Sequence, residues 1–179
     1  MSEVSVFDGA LISVASVQLE GPDGDHFERE IVHHPGAVVV VPVIADERVV
    51  MVRQYRAAIA SELLEVPAGK RDVDGEDPEV TARRELGEEV GRRAGRMELL
   101  ARFYNSPGFT DEFTWLYLAR DLEEVPHDRQ GAEEMAMAVE EIPLSAVPEM
   151  IASGAIRDAK SIIGLCLARE VLRAERSQT

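Results

Sequence analysis

The chain of 179 residues carries 34 acidic against 19 basic side chains, a formal net charge of −15. That balance argues against nonspecific binding to nucleic acid, whose backbone is held by Lys/Arg clusters, and the length suffices for a domain that buries roughly 70% of its unfolded surface without a disulfide framework. The only cysteine, Cys166, has no intramolecular partner, the opening "MSEVSVFDGALISVASVQ" lacks a basic region followed by an apolar run, and no stretch reaches the ~18 apolar residues of a membrane span; the expectation is a soluble, cytoplasmic protein with no membrane partner.

Residues 9–20, rich in β-branched residues, and an extended segment around 26–33 flank the turn "GPDG" at 21–24 and predict an N-terminal hairpin. The run "GAVVVVPVI" (36–44) is apolar almost throughout, the pattern of a central strand covered on both faces. Strands follow at 49–55 and 62–67. From Pro78 to Val90 the pattern turns helical, with Pro78 in the first turn, Ala82, Leu86 and Val90 as an inward stripe, and Gly91 as the stop. Further strands are expected at 97–104 and 113–119, the latter with Trp115 as a core residue. The polar segment 121–135 reads as a long functional loop. After a short strand at 136–142, Ser145 is placed to cap a helix ending near Ser153, and 158–175 reads as a closing amphipathic helix with Cys166 packed inside.

The helix at 78–90 poses a chemical question. Glu85, Glu88 and Glu89 stand at i, i+3 and i+4, on one face, where like charges repel by about 0.2–0.5 kcal/mol per pair. A solvated acidic face is the plain alternative. Convergent carboxylates following a strand that ends at Gly69 instead form a natural site for a hard divalent cation, which takes carboxylate, carbonyl and water oxygens. The same cation lets an acidic protein bind an acidic phosphate ester.

These residues resemble the box of the Nudix hydrolases, a Gly, five residues, Glu, seven residues, then Arg-Glu-hydrophobic-x-Glu-Glu-x-Gly-hydrophobic. The chain offers Gly69, Glu76, Arg84, Glu85, Leu86, Glu88, Glu89 and Gly91 with the seven-residue gap intact. Six residues rather than five separate Gly69 from Glu76, and Arg92 replaces the final hydrophobic. The resemblance implies an α/β fold, a Nudix-type α/β/α sandwich with a mixed sheet plus a small N-terminal antiparallel β segment. It also implies Glu85 and Glu89 as principal metal ligands, Glu88 as an additional or water-mediated one, and the Ala68 carbonyl completing the shell. Mg²⁺ is the implied ion and Mn²⁺ the alternative. Arg84 would orient the glutamates, with Glu76 as its partner; the plain alternative for Arg84 is an ordinary surface partner of Glu88.

The segments "HHPGAVVVVPV", "VVMVRQYR", "LLEVPAG", "NSPGFTDEF" and "GAIRDAKSIIGL" look like the ADP-ribose pyrophosphatase branch, in which a proline about fifteen positions after the box accompanies that substrate. Pro107 lies fifteen after Arg92. A pyrophosphate suits the fixed fork of arginine, and "RQYR" supplies Arg53 and Arg56, which a strand would point to opposite faces. Arg56 matches the family's phosphate-contacting arginine, Arg53 is the candidate salt-bridge partner, and Glu112 matches a position near ribose or metal.

In this branch the general base is a glutamate of the loop after the last long strands. Glu133 and Glu134 match best, following Gly131; one would be base and the other ligand, with Glu133 preferred as base and His127 the weaker rival. The implied reaction is metal-dependent hydrolysis of the pyrophosphate bond of ADP-ribose to AMP and ribose 5-phosphate. Alternatives are a Nudix pyrophosphatase for another nucleoside diphosphate sugar or a dinucleotide, and a non-catalytic nucleotide-sensing module. Residues 1–32 resemble the family's dimerisation region, and 33–179 form the Nudix domain, so a homodimer acting on a small nucleoside diphosphate derivative is the expectation.

Overall fold

In the computed structural model, residues 2–45, 47–129 and 135–178 are described. Three strands, β1 (Ser2–Asp8), β2 (Ser13–Glu20) and β3 (His26–His33), form a separate antiparallel sheet in the order β1-β2-β3. The predicted hairpin is therefore β2 and β3, joined by a further strand that was not expected. Its Val4 and Val6 are exposed, so β1 lacks the buried alternation that marks a strand in sequence.

The main sheet runs β10-β5-β4-β9-β8, with β6 (Ser61–Glu65) added to β5 and the three-residue β7 (Ala68–Lys70) added to β4. β4 (Ala37–Ile44) pairs antiparallel with β5 (Arg48–Arg56) and parallel with β9 (Phe113–Glu124), which makes the sheet mixed. The alternation of β4 divides the core. Val38 and Val40 pack with Ala82, Leu86 and Val90 of α1 (Pro78–Val90). Val39, Val41 and Val43 pack on the other face with Leu165 and Ala168 of α3 (Ala159–Arg176), beside Val147 of the short α2 (Val147–Ala152). The result is an α/β/α sandwich. Each fully buried valine or leucine here contributes about 1.5–3 kcal/mol of transfer free energy, so the apolar run 37–43 alone specifies the centre of the fold.

Three expectations are corrected. β8 (Arg92–Tyr104) begins directly after α1, and β9 continues to Glu124, so 121–124 is strand rather than loop. Arg92 pairs with Glu124 at 2.5 Å, and Arg93 pairs with Glu123. Cross-strand charge pairs thus extend a hairpin whose composition reads as loop. Ser145 does not cap α2; Ala146 holds the cap position and its N–H bonds to Pro143 O, which places Ser145 inside a turn. Cys166 is exposed, because the buried positions of α3 are Ser161, Gly164, Leu165 and Ala168, one residue out of phase with it. Trp115 packs against the core cluster on the α1 face, as expected, with one side half-buried under the Arg71 guanidinium 4.5 Å above its ring and Phe113 edge-on at 4.6 Å. β10 (Ala138–Pro143) closes the sheet where a short strand was expected.

The two sheets are tied at the loop that follows β8. Val32 donates to Phe109 O and accepts from Asp111 N, while His33 Nδ1 lies 2.6 Å from Asp111 Oδ2 and His33 Nε2 lies 3.3 Å from Glu3. Hydrogen bonding to Asp111 is the main cause that raises the His33 pKa, and although burial alone would raise Asp111, its hydrogen bonds to His33 and His34 leave it lowered. The raised histidine contributes stability fully below about pH 6.5 and loses it as pH rises through its folded value. The lowered aspartate contributes above about pH 4 and loses it as pH falls through its folded value. The clip therefore contributes most between about pH 4 and 6.5. The melting-temperature difference between wild type and His33→Gln should be largest near pH 5.5 and shrink to a pH-independent remainder by pH 9; a difference independent of pH throughout refutes the assignment.

Candidate functional site

Helix α1 has strong local signals at both ends. Asp77 caps it by accepting from Glu79 N at 2.8 Å, Pro78 occupies the first turn, and Gly91 terminates it in the left-handed region. The buried face includes Glu85 and Glu89 beside Ala82 and Leu86, so two carboxylates share the edge of an apolar stripe. That edge lies against β7. Ala68 N donates to Glu89 Oε2 at 3.1 Å, and a Cβ on Gly69 would stand 2.0 Å from the Glu85 carboxyl carbon. Only glycine lets strand and carboxylate approach this closely.

Arg84 supplies the counter-charge. Its Nη1 donates to Glu85 Oε1 at 2.9 Å and to Glu88 Oε2 at 3.0 Å, and its Nη2 lies 3.4 Å from both Glu76 and Asp72. Glu76 is itself held by Thr81 Oγ1 at 2.7 Å. Arg84 is thus more than a partner of Glu88, since one guanidinium gathers four carboxylates. Burial is the largest influence on Glu85 and pushes its carboxyl up to about 7 against the pull of Arg84. The ionised form is costly there and gains from a cation.

The extra residue between Gly69 and Glu76 is absorbed in a turn. Glu76 N bonds to Val73 O, and Gly75 adopts φ 73°, a conformation that glycine reaches without penalty. Arg71 braces the segment: its N donates to Gly36 O, its Nη2 donates to Glu76 O at 2.8 Å, and its side chain stacks on Trp115. On either side of the insertion the box residues keep partners on α1: Gly69 packs on Glu85, and Glu76 lies 3.4 Å from Arg84.

Among the other candidates, Arg56 Nε donates to the buried Glu65 at 2.8 Å, and Arg53 pairs with Glu140 at 2.5 Å. Glu112 sits on the loop before β9, its N bonded to Thr110 Oγ1. No hydrogen bond or ion pair among the described residues joins Arg53, Arg56 or Glu112 to the α1 carboxylates. His127 is exposed and rests on Gly91. Pro107 opens the exposed turn of the loop 105–112. Glu133 and Glu134 lie outside the described residues. Asp72, Thr81 and Glu65 escaped the sequence reading; only the acidic neighbourhood of "KRD" and "LLEVP" hinted at two of them.

The donor set fits a hard divalent ion: carboxylate oxygens, with a buried Glu85 whose charge lacks water. The set is not preassembled, since no three His, Cys, Asp or Glu side chains among the described residues already surround a common point. Arg84 stands between Glu85 and Glu88 instead, with its Nε buried and unpartnered among the described residues. A cation would share the carboxylates with Arg84 or displace it. No described helix is long and apolar enough to cross a membrane.

The family profile of the NUDIX domain matches residues 33–162. The chain is 35% identical to an ADP-ribose pyrophosphatase of Bacillus subtilis (strain 168) over 178 residues, 98% of this chain and 96% of that protein. It is 38% identical to a methanol dehydrogenase activator of Bacillus methanolicus over 160 residues, 89% of this chain and 86% of that one. A solved structure described as an ADP compounds hydrolase superposes with a TM-score of 0.84 at 26% identity, covering 98% of this chain and 94% of the other.

Proposed function

Because the chain belongs to the Nudix hydrolase family, whose enzymes generally use divalent metal ions on nucleoside diphosphate derivatives, we propose that it hydrolyses the pyrophosphate bond of ADP-ribose. Water enters, and AMP and ribose 5-phosphate leave. The observation that carries this reading is the α1 carboxylate group packed on Gly69, in a chain similar along nearly its whole length to an ADP-ribose pyrophosphatase.

In this proposal Glu85, Glu88, Glu89 and the Ala68 carbonyl hold Mg²⁺, or Mn²⁺ in its place. Such an ion, when bound, neutralises phosphoryl charge and lowers the pKa of water. Arg84 and Glu76 keep the carboxylates gathered. Arg56, steadied at Nε by Glu65, offers its other guanidinium nitrogens to a phosphate, and Glu112 faces the sugar side. Arg53, engaged by Glu140, serves as support for the sheet edge. Glu133 takes the proton from water, with Glu134 as its partner, or the two exchange roles.

Product analysis over ADP-ribose, GDP-mannose and a dinucleotide, each with Mg²⁺ and Mn²⁺, tests the reading. AMP and ribose 5-phosphate should form fastest from ADP-ribose; faster cleavage of GDP-mannose overturns the substrate assignment. Of Glu133→Gln and Glu134→Gln, the one that removes the base should lower kcat by about 10²–10⁴-fold, and two unimpaired variants would sink the loop assignment.

A further inference from the structure

A buried polar chain connects α3 to the strand end beside the candidate metal site, and nothing in the proposed chemistry uses it. Asp158 caps α3, its Oδ2 accepting from Ser161 N at 2.8 Å and from Ser161 Oγ at 2.7 Å. Its Oδ1 accepts from Lys160 Nζ at 2.7 Å. Ser161 Oγ in turn accepts from Val66 N at 3.0 Å. Ser161 is fully buried and Asp158 nearly so.

The direction of this chain is fixed by chemistry. An ionised carboxylate only accepts and a backbone N–H only donates, so the Ser161 hydroxyl must give its proton to Asp158 and turn a lone pair to Val66. The residue is a one-way link from a carboxylate to a main-chain amide 95 positions earlier.

That amide is well placed to matter. Only Val66 and Pro67 separate β6 from β7. Pro67 has no N–H and a locked φ, so the amides on either side of it are the available handles. Ser161 on one face of the sheet grips Val66 N, and Glu89 on the other face grips Ala68 N. Val40 N holds the Pro67 carbonyl between them at 2.9 Å. With Pro67 stiff, a displacement of Val66 carries through to Ala68 and to the carboxylate bound to it.

We propose that Asp158 and Ser161 are positioning residues of the candidate metal site, setting the place of the Val66–Ala68 crossing from the opposite face of the sheet. The inference rests on the metal-site reading above. It assigns work to the "RDAKS" segment that a helix cap alone does not explain, because the cap needs Asp158 and Ser161 N but not the hydroxyl's link to Val66.

The test is direct Mn²⁺ binding to the metal-free full chain, read from the free-ion electron spin resonance signal without substrate. Ser161→Ala should weaken Mn²⁺ binding by about 10-fold, the scale seen when supports of metal ligands are removed. Asp158→Asn, which keeps the hydroxyl and a capping oxygen, should weaken it measurably but less than Ser161→Ala does. Arg157→Ala is the comparison: it frees the far end of β6 by removing the contacts of Arg157 Nη2 to Ser61 Oγ and Glu62 O, and should lower the melting temperature while leaving Mn²⁺ affinity within about twofold of wild type. A purely structural role for Ser161 would do the same. Glu89→Gln separates the two levels of the argument. If it weakens binding while folded Ser161→Ala does not, the relay is wrong and the site stands; if neither weakens it, the site reading fails and takes the relay with it. Should Ser161→Ala not fold, an unchanged Mn²⁺ affinity in Asp158→Asn overturns the proposal.

Discussion

Glu85→Gln and Glu89→Gln should each lower Mg²⁺-dependent release of AMP from ADP-ribose by about 100-fold or more, since each removes a charged oxygen donor from the proposed ion. The substitution is close to isosteric, and the structure offers it substitutes for its hydrogen bonds. The amide oxygen of Gln at 85 can accept from Arg84 Nη1, and that at 89 can accept from Ala68 N. The melting temperatures of the metal-free variants should therefore stay within a few degrees of wild type. Steady-state kinetics across Mg²⁺ concentrations, with calorimetry on the same samples, measures both quantities. Turnover within about threefold of wild type at every Mg²⁺ concentration would show that these carboxylates are not the ligands.

Gly69→Ala should be comparably damaging for a different reason. Its Cβ would stand 2.0 Å from Glu85 Cδ and 2.3 Å from both Cγ and Oε1. No rotamer of alanine exists to avoid this, so either the carboxylate leaves its place or β7 moves away from α1. Misplacement of a reacting constellation by ~1 Å can cost about 100-fold in rate, and a loss of that order in kcat is expected. Gly87→Ala provides the contrast within the same helix. Its Cβ would meet only Arg92 O, at 4.0 Å, and alanine in a helix interior is favoured over glycine by about 0.5–1 kcal/mol. That variant should keep full activity and melt higher. Equal activity in both variants would remove the close approach at Gly69 from the argument.

Much of this architecture is legible in the sequence. The strand 37–44 announced its burial on both faces by an unbroken apolar run, and α1 was bounded by Pro78 and Gly91 with its inward stripe at 82, 86 and 90. Where reading failed, the physics was nonlocal. Residues 121–124 look like loop because their charges are satisfied by arginines 30 or so positions earlier on the paired strand. Cys166 reads as internal from its apolar neighbours, yet α3 presents the adjacent phase to the sheet. β1 and β7 carry too little buried alternation to be seen without their partners.

The sequence by itself determined that three glutamates share one face of a helix, that an arginine precedes them, and that a glycine lies on the segment before that helix. Those facts follow from a 3.6-residue period and from spacing, which are local properties of the chain. That this glycine stands inside β7 rather than at a strand end is a property of the fold. Only the tertiary structure decided that Arg84 gathers the carboxylates, that Glu85 is buried against Gly69, and that Ser161 reaches Val66 across the sheet. The desolvation of a charge and the partner of a main-chain amide depend on which distant segments close over them, and periodicity along the chain contains no such term.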